Sequence, residues 1–441
     1  MKKVLIISFH YLPEVMAASY RMYAWAKYLP EFGWQPIILT KECDVTKSNY
    51  LRNNFNKPFR EFDRNIQCIV YRVPYTQRFK KIWDARRKIT LKKMPSKLET
   101  IVRRILNFII GNFLMLPDER HDWFKHAYKS GLFIIKEEKT DVILSTGAPW
   151  TDFWVASRLC KVTGTPWLAD YRDPWTQPTS LGIQKEYILR RFINRIWERK
   201  IIRSASEIIH ISQPLQATLG NMIKRNVHHI PNGFDPENFE NNHTYIPDDK
   251  VFTISFIGTL HNNTNTDVFI GGLHQFIREN EIGPQGCKIE FIGDLPGFEI
   301  ITKSYPEFFQ ISKFFNFLPS VSQKEANMRM CKSHILLSFP LDMEGCCPAK
   351  TLEYLASGRP VLVSPAGKYQ TVIKNLIKKT NGGVILNSSR EVADFLNSKY
   401  KEFLATGKVL SKTKMSEVDK YSRKKQTGTL SKILDSTIYR E

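Results

Sequence analysis

The chain has 441 residues, too many for one ordinary hydrophobic core, so two domains are expected. Hydrophobic residues make up 42% and charged residues 24%, which excludes a disordered or fibrous protein. A net charge of +22 calls for an anionic partner: nucleic acid, an acidic membrane face or a phosphorylated substrate.

Met1, Lys2 and Lys3 lead into the apolar run Val4–Ser8, too short for a signal peptide and closed by His10-Tyr-Leu-Pro. It reads as a strand buried on both faces of a parallel sheet. The helix Tyr20–Phe32, ended by Gly33, and the strand Gln35–Thr40 complete a βαβ unit, which places ligands at the carboxyl ends of strands. The loop between them lacks GxGxxG, so a dinucleotide fingerprint is absent.

Between Gln77 and Arg104 eleven basic residues face only Asp84 and Glu99, and the apolar run Ile105–Leu116 follows. Segment 77–116 reads as an in-plane anchor on an anionic membrane or as a core helix with a solvated basic face. Nucleic-acid binding is the third reading, but no helix-turn-helix, RNP or zinc signature supports it.

The α/β rhythm resumes with the strand Asp141–Ser145, the helix Thr151–Thr163 and the strand Pro166–Asp170, which runs into Tyr171-Arg-Asp-Pro-Trp175. Strands Glu207–Ser212 and His228–Pro231 close a first domain, 1–235. Polar, aperiodic residues 236–250 read as a linker. A second series, 251–415, has strands Phe252–Ile257, Cys287–Ile292, Phe314–Leu318, His334–Phe339, Val361–Val363 and Gly383–Leu386. The tail, 416–441, is a basic amphipathic helix with Leu430, Ile433 and Leu434 as contacts, expected to pack back on the first domain.

Within the second series, Pro348–Leu362 stands out. Pro348 suits a helix start, Leu352, Leu355 and Ala356 form a buried stripe, and Gly358 ends the helix before a buried strand. A helix N-terminus favours anions, so Lys350 in the first turn invites one, and Glu353 one turn on is placed to accept ribose hydroxyls. A solvated helix face with Lys and Glu reads equally well from spacing alone. The seven cysteines form no CxxC pair and have no histidines at zinc spacing, as for reduced thiols in a cytosolic protein. No stretch reaches the ~18–20 apolar residues that span a bilayer.

In order along the chain stand Lys3-Val-Leu-Ile-Ile-Ser8, Asp170-Tyr-Arg-Asp-Pro-Trp175, Pro231-Asn-Gly-Phe-Asp235, Phe256-Ile-Gly-Thr-Leu260 and Lys350-Thr-Leu-Glu-Tyr-Leu-Ala-Ser-Gly-Arg-Pro360. Each is weak alone, but their order resembles the GT-B glycosyltransferases, most closely family 4 enzymes of cell-surface polysaccharide assembly. The resemblance implies two Rossmann-like α/β domains facing across a cleft, with a nucleotide-sugar donor bound mainly by the second and an acceptor by the first. It implies retention of anomeric configuration, no cofactor and no metal, in keeping with the absence of a DxD-type motif.

By position Glu353 resembles the second acid of the family's paired glutamates. The first belongs at position 345, which is Gly345, with Glu344 one residue away. Lys350, Thr351, Gly258 and His261 fall on the donor side, although no Arg or Lys follows Gly258 as in many relatives. On the acceptor side His10, Arg21, Ala18, Asp170 and Asp173 are candidates. Asp173 is suited to orient or deprotonate an acceptor hydroxyl, or to cap the turn before Pro174. Trp150 and Trp175 are candidates to stack on a sugar, and Trp167 reads as core. With His10, Asp173 and Glu344 as catalytic candidates, the implied reaction moves a sugar onto a glycan or polyprenyl-diphosphate-linked acceptor at the inner face of the cell membrane. The departures at 258–261 and 344–345 leave a catalytically impaired scaffold as the alternative.

Overall fold

In a computed structural model of the chain, the described residues are 1–14, 16–44, 47, 58–75, 116–177, 188–240, 242–261, 264–294, 305, 308–340, 345, 347–365, 367 and 370–438. Apart from Leu116, the basic and apolar segment at 77–116 lies outside them, as does Glu344. Two compact units result, Met1–Pro231 with Thr427–Glu441, and Asn232–Gln426.

The first unit carries strands β1 (Lys2–Ile7), β2 (Trp34–Lys41), β3 (Phe59–Asp63), β4 (Cys68–Val73), β5 (Val142–Gly147), β6 (Trp167–Tyr171), β7 (Glu207–His210) and β8 (His228–His229). Their order is β3-β4-β2-β1-β5-β6-β7-β8, parallel except for the β3–β4 pair. Alternate residues of the central strands enter two separate cores: Leu5, Ile7, Ile37, Leu39 and Ile143 on one face, Val4, Ile6, Ile38 and Leu144 on the other. Each such side chain contributes about 1.5–3 kcal/mol when fully buried, which is why these strands are apolar at every position rather than alternating. Leu430, Ile433 and Leu434 of the helix Arg423–Ile438 lie in the second of these cores.

The helix expected at 20–32 starts earlier, at Ala17, and ends as an α-helix at Tyr28. Pro30, which has no N–H to give, turns the last four residues into a 3-10 turn, and Gly33 closes it at φ +81°. The strand Cys68–Val73, with every residue buried, and the helices Phe124–Glu138 and Ile188–Ile202 have no counterpart in the sequence reading.

The second unit holds β9 (Phe252–Ile257), β10 (Cys287–Ile292), β11 (Phe315–Leu318), β12 (Ile335–Ser338), β13 (Val361–Val363) and β14 (Gly383–Ile385), all parallel, in the order β11-β10-β9-β12-β13-β14. Residues 236–250, expected to form a linker, instead carry the 3-10 turns Pro236–Phe239 and Asn242–Thr244. Phe239 is 8% exposed and packs in this unit's core, so the chain passes between units at Pro231–Asn232. Among the described residues no helix is long and apolar enough to cross a membrane.

Candidate functional site

In each sheet the strand order reverses beside the first strand of the unit, between β1 and β5 and between β9 and β12. Ligands of doubly wound sheets bind outside the carboxyl ends of strands at such points. Both points are occupied by polar side chains held in fixed geometry.

In the first unit, the chain leaving β1 places Phe9 N–H 2.8 Å from Asp152 Oδ2, which fixes the position of His10. The His10 Nδ1 lies 2.8 Å from Glu14 Oε2, and Lys41 Nζ donates to Glu14 Oε1 at 3.0 Å. Burial lowers the His10 pKa, partly offset by Glu14, so the ring is neutral at pH 7. Burial opposes ionisation of Glu14, but the bonds from His10 and Lys41 prevail and lower its pKa. A carboxylate at Nδ1 assigns the proton to that nitrogen and leaves Nε2 as the basic one. Asp152, fully buried in the first turn of the helix Trp150–Thr163, has no partner for Oδ1 among the described residues, and burial pushes its pKa well above the carboxylate range.

Arg21 and Asp170 form a buried ion pair, with Nε and one terminal nitrogen of Arg21 at 3.2 and 3.0 Å from the two carboxylate oxygens. Arg21 also donates to the carbonyls of Ile230 and Pro231 at 3.0 and 2.8 Å, and Thr146 Oγ1 donates to Asp170 at 2.9 Å. With Asp170 fully buried and Arg21 4% exposed, the pair ties the start of the Ala17–Tyr28 helix to β6 and the end of the unit, rather than presenting two substrate contacts. Ala18 is buried as well, at 3% exposure. Asp173 is exposed, its carboxylate 3.5 Å from the Ala148 amide, at the outer limit of a hydrogen bond. Trp150 and Trp175 stack on each other at 4.8 Å, and Trp167 is fully buried with its N–H on Ser204.

In the second unit, the helix Ala349–Ala356 follows β12 and begins at Pro348. Thr351 is buried and hydrogen-bonded to Ser338 at the end of β12, at 3.0 Å. Lys350 Nζ lies 2.6 Å from Glu353 Oε2, and Gln323 Nε2 reaches the same oxygen at 3.3 Å. A methyl built on Gly258 would meet Lys350 Cγ at 4.0 Å, so the end of β9 and the Lys350 stem are neighbours. Gly293, after β10, has φ +137°, and a side chain there would strike the Gly258 carbonyl oxygen at 2.1 Å. His261 is exposed, and its carbonyl accepts the Thr264 N–H at 2.9 Å. The structure therefore brings Gly258, Lys350, Thr351 and Glu353 together. Glu14, Lys41, Asp152, Gln323 and Ser338 were missed; of these only Glu14, four residues after His10, carried a spacing signal.

Residues 251–399 match the family of Glycosyl transferases group 1. No curated protein matches the sequence. Among solved structures, sucrose-phosphate synthase from Thermosynechococcus elongatus superposes with a TM-score of 0.62 at 15% identity, covering 99% of both chains. A glycosyltransferase from Rickettsia africae gives 0.59 at 13% identity over 100% of this chain and 99% of its own. Anabaena HepE, in complex with UDP and glucose, gives 0.57 at 14% identity over 99% and 100%. The chain has a GT-B fold. Such identities speak for the fold alone, and the family match concerns residues 251–399. In this GT-B chain the matched stretch contains Gly258, Lys350 and Glu353. Among its described residues no cluster of three or more His, Cys, Asp or Glu is arranged to hold a metal.

Proposed function

We propose that the chain, as a family 4 enzyme of cell-surface polysaccharide biosynthesis, moves a sugar from a nucleotide-sugar donor to a glycan or polyprenyl-diphosphate-linked acceptor with retention of configuration. The second unit holds the donor and the first holds the acceptor. The observation that carries this is the Lys350–Glu353 pair at the start of a helix beside Gly258. Partly exposed ion pairs of this kind contribute about 1 kcal/mol. An incoming diphosphate, favoured by the helix N-terminus, readily draws Lys350 away, freeing Glu353 to accept the ribose hydroxyls. Lys350 and the helix N-terminus then stabilise the charge of the leaving diphosphate in place of a metal or further cofactor. Neutral His10, oriented by Glu14, is the acceptor-side base. The UDP held by HepE supports a uridine nucleotide as first choice. The enzyme works at the inner face of the membrane, where a lipid-linked acceptor resides.

A panel of UDP-, GDP- and CMP-sugars tests the reading. Thermal protection or turnover with one donor supports it. Silence across the panel, together with normal folding, favours a scaffold that has lost catalysis, a reading motivated by the absence of a cation at Thr259-Leu260 after Gly258.

A further inference from the structure

The helix Ile188–Ile202 of the first unit has two unlike faces. Asn194, Glu198, Ile201 and Ile202 are 2–4% exposed, Trp197 packs edge-on against Trp154 at 5.2 Å, and Glu198 accepts from Tyr171 Oη at 3.1 Å. At about 100° per residue, Leu189, Phe192, Ile196, Arg199 and Arg203 project on the opposite side. Leu189, Phe192 and Ile196 are 38%, 61% and 51% exposed, among the largest apolar side chains left in water. Arg203, just past the helix, stays in register because its N–H bonds the Arg199 carbonyl at 3.2 Å. A cavity of about 480 Å³ opens at this end, lined by Lys161, Arg199, Lys200, Arg203 and Ser204.

Cations at helix ends often do no more than complement the macrodipole. Here the C-terminal ends of two helices, Trp150–Thr163 and Ile188–Ile202, supply together about one unit of negative partial charge against four cations. Roughly three positive charges are left for an outside anion. Exposed apolar side chains and excess cations on one helix face are what an interfacial helix presents to headgroups and acyl chains.

We propose that this face seats the enzyme on an anionic bilayer, with Phe192 and Ile196 entering the acyl boundary and a lipid phosphate in the Lys161–Arg203 cavity. The choice of a bilayer over another polyanion rests on the lipid-linked acceptor proposed above.

The test is co-sedimentation of the full chain with vesicles of two parts phosphatidylcholine to one part phosphatidylglycerol, and with phosphatidylcholine alone. The wild type pellets with the anionic vesicles only. Each cation near such a surface is worth about a factor of five, so Arg199→Glu with Arg203→Glu weakens partition at least about 25-fold. Phe192→Ser with Ile196→Ser weakens it too, whereas Arg199→Lys with Arg203→Lys, which keeps the charge, binds as wild type. Thermal protection by the donor stays unchanged in all three, so loss of vesicle binding is read independently of sugar transfer. Equal binding of the charge-reversed variant, wild-type binding to neutral vesicles, or binding of a DNA duplex instead of either vesicle overturns the proposal.

Discussion

The Tyr354 hydroxyl accepts the Ile257 N–H and donates to the Ile257 carbonyl, both at 2.8 Å, with the ring 1% exposed. One side chain thus locks the helix that carries Lys350 and Glu353 to the end of β9, one residue before Gly258. The polar groups of the candidate donor site owe their spacing to this contact.

Tyr354→Phe removes both bonds and leaves a buried N–H and carbonyl unpaired. A loss of about 1–3 kcal/mol per unsatisfied group is expected, read from the urea midpoint, with weaker donor protection alongside. A variant as stable as wild type means the contact does not brace the site.

Glu353→Ala and Lys350→Ala should each raise the donor dissociation constant about 10- to 100-fold, the worth of a charge-assisted hydrogen bond. Stability should change by no more than about 1 kcal/mol, since the pair is partly exposed. Calorimetric titration with the donor decides; undiminished binding in Glu353→Ala moves the nucleotide elsewhere.

The two strand-end glycines separate fold from function. Gly293→Ala meets the Gly258 carbonyl and a positive φ, so a loss of at least about 1–3 kcal/mol is expected in thermal unfolding. Gly258→Ala meets only Phe256 and Lys350, at 3.7 and 4.0 Å, and should fold normally while binding donor more weakly. The reverse order of effects refutes this assignment.

Glu14→Gln takes away a charge that raises the His10 pKa. The acid limb of kcat/KM should move to lower pH, with a roughly 10- to 100-fold lower plateau from the less basic, less oriented ring. An unmoved limb excludes His10 as the titrating base.

His210 is held neutral, its pKa lowered from 6.5 to about 3 by burial first and then by His229 and Arg21. The unfolded chain takes up a proton below pH 6.5 that the folded one refuses until about 3, so stability falls as pH drops through that window. The expected slope from this group is about 1.4 kcal/mol per pH unit. His334, lowered by burial to about 4, adds a second proton over a narrower range. His210→Asn keeps an acceptor for the Ser212 N–H, seen at 3.0 Å from Nδ1, and should flatten the curve by one proton. Urea midpoints at several acidic pH values, compared between the two proteins, measure it.

The central strands and the helix after Pro348 were legible from sequence because each is a local pattern: an apolar run between turns, or a stripe at helical spacing. Cys68–Val73 escaped because Arg72 interrupts its apolar run, and its burial comes from pairing with β2 and β3. The same limit applied to the site. Residue type and position picked out His10, Lys350 and Glu353, but neighbours far along the chain set their meaning.

What the sequence by itself determined is the α/β class, the order of the motifs and the helix start at Pro348, all consequences of short-range periodicity and turn chemistry. Only the tertiary structure decided that Arg21 and Asp170, 149 positions apart, neutralise each other in the interior, and that the Lys350–Glu353 pair lies beside Gly258. A charge reads the same in sequence whether water or a counter-ion surrounds it. Burial and distance, set by packing, make one pair a structural clamp and leave the other within reach of a ligand.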